Sequence, residues 1–363
     1  MRKILLLFLL SFLVQTNAIY SQKNFTDNLH ANVSCNFGYN LPEYPFIYSL
    51  TNDYIRSLEV TVFKKTTGKN LWEEIYNYPD QGLSIFYSTL GNNEVFGKEL
   101  ALTYFFRTYF LTFNRLRFYN RIGFGLSYVS RKFDIQNNYL NVAVGSNFNF
   151  HFNFRLGANY SISEKVGLYT GISFDHFSNG NMSEPNLGIN YVTGYFGGSF
   201  SLGETTKREK HVIENHVKKN SSILFLSTGG KHSRALSSKF YFTSSLSYEF
   251  SRAFFRKFHF GIGGDLFYDS SVKNSLEKMS KNYKPSNSFQ TGIHVTQSLV
   301  YNRVSLSLQQ GVYLLLTEKV DNYPIYTRGI IQYEVSKRML LRLSMKSHFH
   351  ILDYPEFGFG FKL

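Results

Sequence analysis

Apolar and polar residues alternate one by one along much of this chain, and this pattern constrains the fold more than any other feature. In the run 147–160, phenylalanine or another apolar residue occupies every even position, while asparagine, histidine, arginine or glycine occupies the odd ones. Side chains two positions apart on a β-strand share a face, so each such run predicts a strand with one apolar and one polar face. Further runs of this kind lie at 115–128, 239–250, 257–268, 303–314, 339–350 and 357–363.

Strands of roughly ten residues with this alternation are typical of transmembrane β-barrels. Hydrophobic residues make up 43% of the chain, although its mean hydropathy is slightly negative at -0.22, so apolar and polar residues must be finely interleaved rather than gathered in membrane helices. Lipid cannot satisfy the open edge of a sheet, and the sheet must therefore close on itself. We predict an all-β, antiparallel transmembrane barrel.

The spacing of the runs predicts about 14–16 strands. The predicted strands start near residues 29, 54, 81, 97, 114, 146, 165, 189, 221, 238, 257, 287, 303, 325, 338 and 356. Short links alternate with longer ones, as periplasmic turns alternate with extracellular loops, and this places both termini in the periplasm. We favour one barrel, because neither half has its own signal or a long disordered spacer. Two smaller eight-stranded barrels are the alternative.

The first residues are typical of a secretory signal peptide. Arg2 and Lys3 precede an apolar segment, and small residues then offer a cleavage site after residue 18 or as late as residue 21. The apolar segment is too short to span a bilayer comfortably as a helix. We therefore expect an exported protein with a signal peptide at 1–18.

A highly charged segment, 204–220, divides the rest of the chain into the strand-bearing parts 19–203 and 221–363. The net charge of +14 favours an anionic partner. For an exported protein, phosphate-bearing lipid or a charged membrane surface fits this charge better than nucleic acid does. Cys35 is the single cysteine, which excludes an internal disulfide.

The strand predicted at 165–178 ends its apolar face in an unusual way. His176 and Ser178 continue the face formed by Ile172 and Phe174, the one expected to contact lipid, whereas Asp175 lies on the opposite face. A base beside a hydroxyl is the minimal arrangement for an activated serine nucleophile. The competing interpretation is a pair of polar residues at the membrane interface.

The chain resembles the lipid A 3-O-deacylase family, also called acyloxyacyl hydrolase-like outer-membrane proteins. The resemblance is carried by His176-Phe177-Ser178-Asn179-Gly180 and by the following Pro185-Asn186-Leu187-Gly188 step. It covers mainly residues 80–203. Residues 221–363 have no counterpart in the short eight-stranded members and would add further barrel strands.

The resemblance implies a role for each matching residue. Ser178 would be the nucleophile and His176 the general base. The family's acidic orienting residue falls on Asn190, whose amide oxygen can still hold the imidazole in one tautomer but cannot stabilise its cation by charge. Glu184 is an alternative partner for His176, and we expect Asp175 to point into the barrel.

The oxyanion of the tetrahedral intermediate needs hydrogen-bond donors, and we predict the Asn179 amide and the Gly180 backbone N–H. Asn-Gly is also a strong turn dipeptide, so an ordinary hairpin turn explains these two residues equally well.

By resemblance, the chain would be a carboxylic ester hydrolase that removes an ester-linked acyl chain, the 3-O-linked one, from lipid A of lipopolysaccharide. We expect no metal and no organic cofactor, outer-membrane lipids as surroundings, no nucleic acid, and a location in the outer membrane of the Gram-negative type. The alternative is a non-catalytic barrel, such as a channel, an uptake protein or a structural protein, that retains a degenerate motif. The oligomeric state stays open.

Overall fold

The structure, a computed structural model, describes residues 26–212, 217–232, 239–314, 324–348 and 351–363. The predicted signal peptide at 1–18, with its later cleavage site at residue 21, lies outside these residues. Within the described ranges, no helix combines the length and the apolar character that crossing a membrane requires.

Eight antiparallel strands form a first closed barrel, in which each strand pairs with its sequence neighbours and β1 also pairs with β8. They are β1 (Leu29–Asn40), β2 (Ile55–Lys65), β3 (Asp80–Thr89), β4 (Lys98–Phe113), β5 (Leu116–Val129), β6 (Phe148–Ser161), β7 (Val166–Ser178) and β8 (Ile189–Ser201). Two short helices lie in its connections, α1 (Pro45–Leu50) and α2 (Leu71–Ile75).

The remaining strands form a second closed barrel, in which β9 pairs with both β10 and β16. They are β9 (Asn220–His232), β10 (Phe240–Ala253), β11 (Phe258–Asp269), β12 (Phe289–Tyr301), β13 (Val304–Tyr313), β14 (Ile325–Glu334), β15 (Met339–His348) and β16 (Ile351–Lys362). The helix α3 (Ser271–Lys278) and a 3-10 turn (Pro285–Ser288) precede β12.

The all-β antiparallel fold is confirmed, and the sixteen strands lie at the upper end of the 14–16 predicted from the sequence, but the single barrel that we favoured is wrong. The alternative, two eight-stranded barrels, is what forms. The reason lies in the closing pairs. β1 meets β8 in a register that aligns His30 with Ser201, so the first sheet has no free edge left for β9. Strand starts agree within two residues except for β16, which begins at Ile351 rather than near 356.

Alternation sends apolar side chains outward and polar ones inward, as predicted. Ile172 and Phe196 on the first barrel and Ile262 on the second remain about 60% exposed, because they face the space where lipid lies. The intervening residues are buried inside, among them Ser173 and Asp265.

The interior of the first barrel is filled by a buried polar network. The Glu59 carboxylate accepts hydrogen bonds from Arg121, at 2.7 Å, and from Arg155. His151 lies between two carboxylates, 2.7 Å from Glu99 and 3.2 Å from Asp175. Barrels of eight strands are just wide enough for side chains to fill their interior, and this one follows that rule.

The second barrel is filled in the same way. Asp265 contacts His294 at 2.6 Å and also pairs with Arg328. Nearer the end that carries the longer loops, Lys346 donates to Asp353 at 2.8 Å. Buried ion pairs are therefore a property of both barrels.

The two barrels lie side by side in the same orientation. At the end with the short turns, the Tyr76 ring packs 4.3 Å from the Tyr301 ring, and the Tyr76 hydroxyl donates to the Val300 carbonyl. At the other end, the Asn181 amide donates to the Asp353 carbonyl at 3.1 Å. Polar and aromatic contacts thus join the barrels at both membrane boundaries.

Candidate active site

The site lies at the C-terminal end of β7, where the strand leads into the loop 179–188. β7 and β8 pair in a register that places His176 directly opposite Asn190. Opposite residues on an antiparallel pair have Cβ atoms about 5 Å apart, so side chains on the same face can contact each other. Ser178 follows two positions later on this outward face, as the alternation predicts.

The three polar side chains form one hydrogen-bonded chain. The Nδ1 atom of His176 lies 2.6 Å from the Asn190 amide oxygen, and its Nε2 atom lies 3.1 Å from the Ser178 hydroxyl. Because the amide oxygen can only accept, Nδ1 must carry the hydrogen, which leaves Nε2 as the acceptor that faces the hydroxyl. The structure thus brings together all three predicted catalytic residues in the tautomer that a general base needs.

Backbone contacts hold Asn190 in place. The N–H of Leu41, just beyond the end of β1, donates to the Asn190 carbonyl at 2.7 Å. The orienting side chain therefore sits on a strand that is hydrogen-bonded on both sides, to β7 and to β1.

Gly188 lies directly against the imidazole of His176. Its φ is +74°, a conformation that favours glycine, and a Cβ added there would lie 3.0 Å from Cε1 of His176 and 3.5 Å from Cβ of Ser178. From the sequence, this glycine was noted only as part of the Pro-Asn-x-Gly step, with no role of its own. Its place in that step, close to Asn190 in the chain, was the available signal.

The loop after Ser178 is held by its own side chains. The Asn179 amide group donates to the Ser183 carbonyl at 2.8 Å and accepts from the Ser183 N–H at 3.3 Å. The Asn179 N–H donates to the Asn186 side chain at 2.9 Å, a contact that the sequence analysis did not anticipate. Asn179 thus has a clear role in shaping the loop, and its predicted role as an oxyanion donor stays a prediction.

Gly180 also follows the turn interpretation, since its φ is +67°. It is buried next to Phe150, whose ring would lie 3.4 Å from an added Cβ. Its backbone N–H is the second predicted oxyanion donor, and that assignment likewise stays a prediction.

The other two acidic candidates do not contact the imidazole. Both ring nitrogens of His176 are already paired with Asn190 and Ser178. Glu184 lies on the loop, where partial burial raises the pKa of its carboxyl and the nearby His232 opposes that rise. Asp175 points into the barrel, as expected, and pairs with His151.

The site lies on the outward face of β7 and β8 but is largely covered. Ser178 is buried to 9% exposure, while His176 and Asn190 are half-buried. Among the described residues, no group of three or more His, Cys, Asp or Glu side chains is arranged to hold a metal ion. In this arrangement, the imidazole of His176 can by itself accept the proton of the Ser178 hydroxyl.

Two family models match the chain and together cover most of it. Residues 56–199 match the lipid A 3-O-deacylase (PagL) model, and residues 220–363 match the model for the acyloxyacyl hydrolase C-terminal domain. The chain belongs to the lipid A 3-O-deacylase family. As a member of this family it is an outer-membrane lipid A deacylase, built from two barrels, and each model covers one of them.

Solved structures of outer-membrane barrels are similar to parts of this deacylase. The outer membrane enzyme PagL is 16% identical, with a TM-score of 0.34, over 46% of this chain and 97% of that one. Neisserial surface protein A is 9% identical, with a TM-score of 0.35, over 48% of this chain and 98% of that one. Among curated proteins, none matches this deacylase in sequence.

Proposed function

We propose that this deacylase is a serine esterase that removes the 3-O-linked acyl chain of lipid A. The observation that carries the proposal is the hydrogen-bonded chain from Ser178 through His176 to Asn190, placed on the lipid-facing side at the outer end of β7. An ester at the boundary between head group and acyl chains would meet the hydroxyl there.

The reaction proceeds in two halves. His176 Nε2 accepts the Ser178 proton as Oγ attacks the ester carbonyl, and the resulting tetrahedral intermediate then expels the sugar alkoxide, which takes the proton from the imidazole. This leaves the acyl group on Ser178. In the second half, His176 deprotonates a water molecule, which attacks the acyl-enzyme. The fatty acid is released, and His176 returns the proton to Ser178 Oγ.

Asn190 acts as a positioning residue for His176. Its amide oxygen holds Nδ1–H and so keeps the lone pair of Nε2 aimed at the hydroxyl. An amide has no charge with which to stabilise the imidazolium, so we expect slower turnover than a carboxylate at this position would support.

The Gly180 N–H is the donor that we propose for the oxyanion. The Asn179 side chain already uses one of its N–H groups and its oxygen on Ser183, whereas a backbone N–H at a tight turn is fixed and needs no reorganisation during the reaction. Exposed basic loop residues such as Arg131 and Lys132 would contact the lipid A phosphates.

Mass spectrometry of lipid A tests the proposal. Cells that express the wild-type protein should lose the mass of one 3-O-linked hydroxyacyl chain from lipid A, and cells that express Ser178→Ala should keep it. Ser222→Ala is the matched control, since Ser222 also lies on the outer face of a strand but far along the chain, next to Tyr248. It should behave as wild type.

The second candidate function is a non-catalytic barrel that retains the motif. The replacement of the family's acidic residue by Asn190 is the observation that favours it. Identical lipid A spectra from wild type and Ser178→Ala, with both proteins folded in the outer membrane, would establish this candidate and refute the esterase. Loss of a different acyl chain would retain the esterase and refute the 3-O position.

A further inference from the structure

We propose that the groove between the two barrels holds one acyl chain of the lipid substrate and aligns it with Ser178. This inference rests on the proposed esterase function and gives the second barrel a role in it: the second barrel forms the far wall of the acyl-binding groove.

The groove has an apolar lining from both barrels and a volume of about 610 Å³. This lies within the range of roughly 300–1,000 Å³ found for pockets that enclose small ligands. The first barrel contributes outward-facing residues of β5 and β6, and the second contributes residues of β11 to β15. Characteristic lining residues are Phe124, Phe152, Phe260, Leu308, Leu343 and Met345.

The groove is partly enclosed: Phe260 and Leu308 remain 42% and 44% exposed, and the other four residues named above are half-buried. Phe124 and Phe152 are half-buried, whereas Leu126, on the same face of β5, is 53% exposed. On the second barrel, Leu343 and Met345 are half-buried as well. Each barrel therefore covers part of the other's lipid face and leaves a channel between them.

The groove begins beside the catalytic residues. Phe152 of β6 is the direct cross-strand partner of His176, and Phe150 is the partner of Ser178. Phe150 in turn stacks on Phe124, with ring centroids 5.9 Å apart. An unbroken apolar surface thus connects the serine to the groove and runs from there towards the short-turn end, the direction an acyl chain takes from the membrane boundary.

The walls are held by contacts above and below the groove. Above it, Asn181 donates to the Asp353 carbonyl, and a Cβ at Gly180 would lie 3.9 Å from Pro355. Below it, the rings of Tyr76 and Tyr301 pack together. The loop that carries the proposed oxyanion donor therefore also contacts the second barrel, so one set of contacts positions both the groove and the site.

Such a groove can position the acyl chain of the substrate, but it cannot bind that chain strongly through hydrophobic burial. Lipid tails around the protein are as apolar as its surface, so moving an acyl chain from bulk lipid into the groove gains little from burial. Restricting one chain to a channel that ends beside Ser178 instead raises the fraction of bound substrate whose ester lies near the hydroxyl. The groove should therefore matter for long-chain substrates and not for short esters.

Gly329 allows a direct test. It lines the groove, and a Cβ built there meets nothing within 4 Å, so Gly329→Phe should fill the channel without straining the barrel. Gly264→Phe is the matched control on β11: Gly264 faces outward too, its added Cβ would lie an ordinary 3.7 Å from the Gly292 carbonyl, and it does not line the groove.

In detergent–phospholipid micelles, Gly329→Phe should lower kcat/KM for lipid A by about tenfold or more, because the chain is no longer aligned. It should leave the hydrolysis of p-nitrophenyl butyrate at the wild-type rate. Gly264→Phe should match wild type on both substrates. A Gly329→Phe protein that folds and deacylates lipid A as wild type does would overturn the groove, as would equal losses on both substrates.

A photoreactive phenylalanine analogue separates this inference from the catalytic one. Placed at residue 329 in a Ser178→Ala background, it should cross-link lipopolysaccharide more strongly than the same group at residue 264. That result would stand even if the wild type proved inactive, in which case the esterase alone would fail. Equal cross-linking at both positions would refute the groove whatever the activity.

Discussion

At the scale of single residues, Asn190 is where this chain departs from the family pattern, since an acidic residue is expected there by resemblance. The structure places its amide oxygen 2.6 Å from Nδ1 of His176, which preserves the tautomer. What an amide lacks is the negative charge that would stabilise an imidazolium in the proposed mechanism.

Asn190→Asp should therefore raise kcat for lipid A. A gain of about tenfold corresponds to roughly 1.4 kcal/mol of added transition-state stabilisation. Asn190→Ala, which removes the acceptor altogether, should lower kcat below the wild-type value. The measurement is initial-rate kinetics with purified proteins, and an Asn190→Asp protein slower than wild type would contradict the role assigned to this residue.

Gly188 is the second residue of interest, because its position beside His176 leaves no room for a side chain. Gly188→Ala should lower kcat by about tenfold and cost about 1 kcal/mol in stability, because the new Cβ would press on the His176 ring and the positive φ disfavours alanine. Gly194→Ala, in the following strand β8, adds a Cβ with no atom nearer than 3.9 Å and should change neither property. Kinetics and urea titrations of both variants compare them, and equal effects would show that Gly188 has no special role.

At the scale of elements, the strands are joined across the interior by ion pairs that depend on one another. Glu59 on β2 binds Arg121 on β5 and Arg155 on β6, so a single carboxylate links three strands. All three side chains are at most 2% exposed. Removing the carboxylate leaves two buried cations without their shared partner.

Glu59→Ala should lower the free energy of unfolding by about 3–5 kcal/mol. The exposed pair of Asp53 and Arg56, at 3.0 Å, offers the comparison, and Asp53→Ala should lower the free energy of unfolding far less, because water screens an exposed pair. Urea-induced unfolding in detergent micelles measures both. Similar values for the two variants would mean that water reaches the interior of the first barrel.

At the scale of the whole molecule, two filled barrels argue against a channel. Glu59 in the first barrel and Asp265 in the second each lie at the centre of a buried side-chain network. Had the sixteen strands closed as one barrel, the same polar faces would have lined a wider lumen.

Reconstituted into planar lipid bilayers, the wild-type protein should therefore give no stable conductance steps. A porin measured in the same bilayers is the positive control. Reproducible single-channel openings from this protein would show that at least one interior opens, and would favour the non-catalytic alternative.

Much of the site was predictable because its determinants are local. Period-two alternation along β7 places His176 and Ser178 on one face whatever the strand pairs with. The pairing of Asn190 with His176 was expected only from the family resemblance, because the loop 179–188 is too long for its length to fix the register of the two strands. By contrast, Asn186 and Gly188 act through loop conformation, which alternation does not describe.

The sequence by itself determined the strands, their two faces and the shared face of His176 and Ser178, because each depends on the alternation of side chains along one strand. Only the tertiary structure decided that β1 closes on β8 and β9 on β16, since all outward faces are equally apolar and alternation cannot identify which distant edges meet. The same holds for the groove, whose walls, such as Phe152 and Leu343, come from opposite halves of the chain. Barrel closure and the groove both depend on residues that are far apart in the chain. Hydrogen bonds between strand edges decide the closure, and contacts between the barrels form the groove.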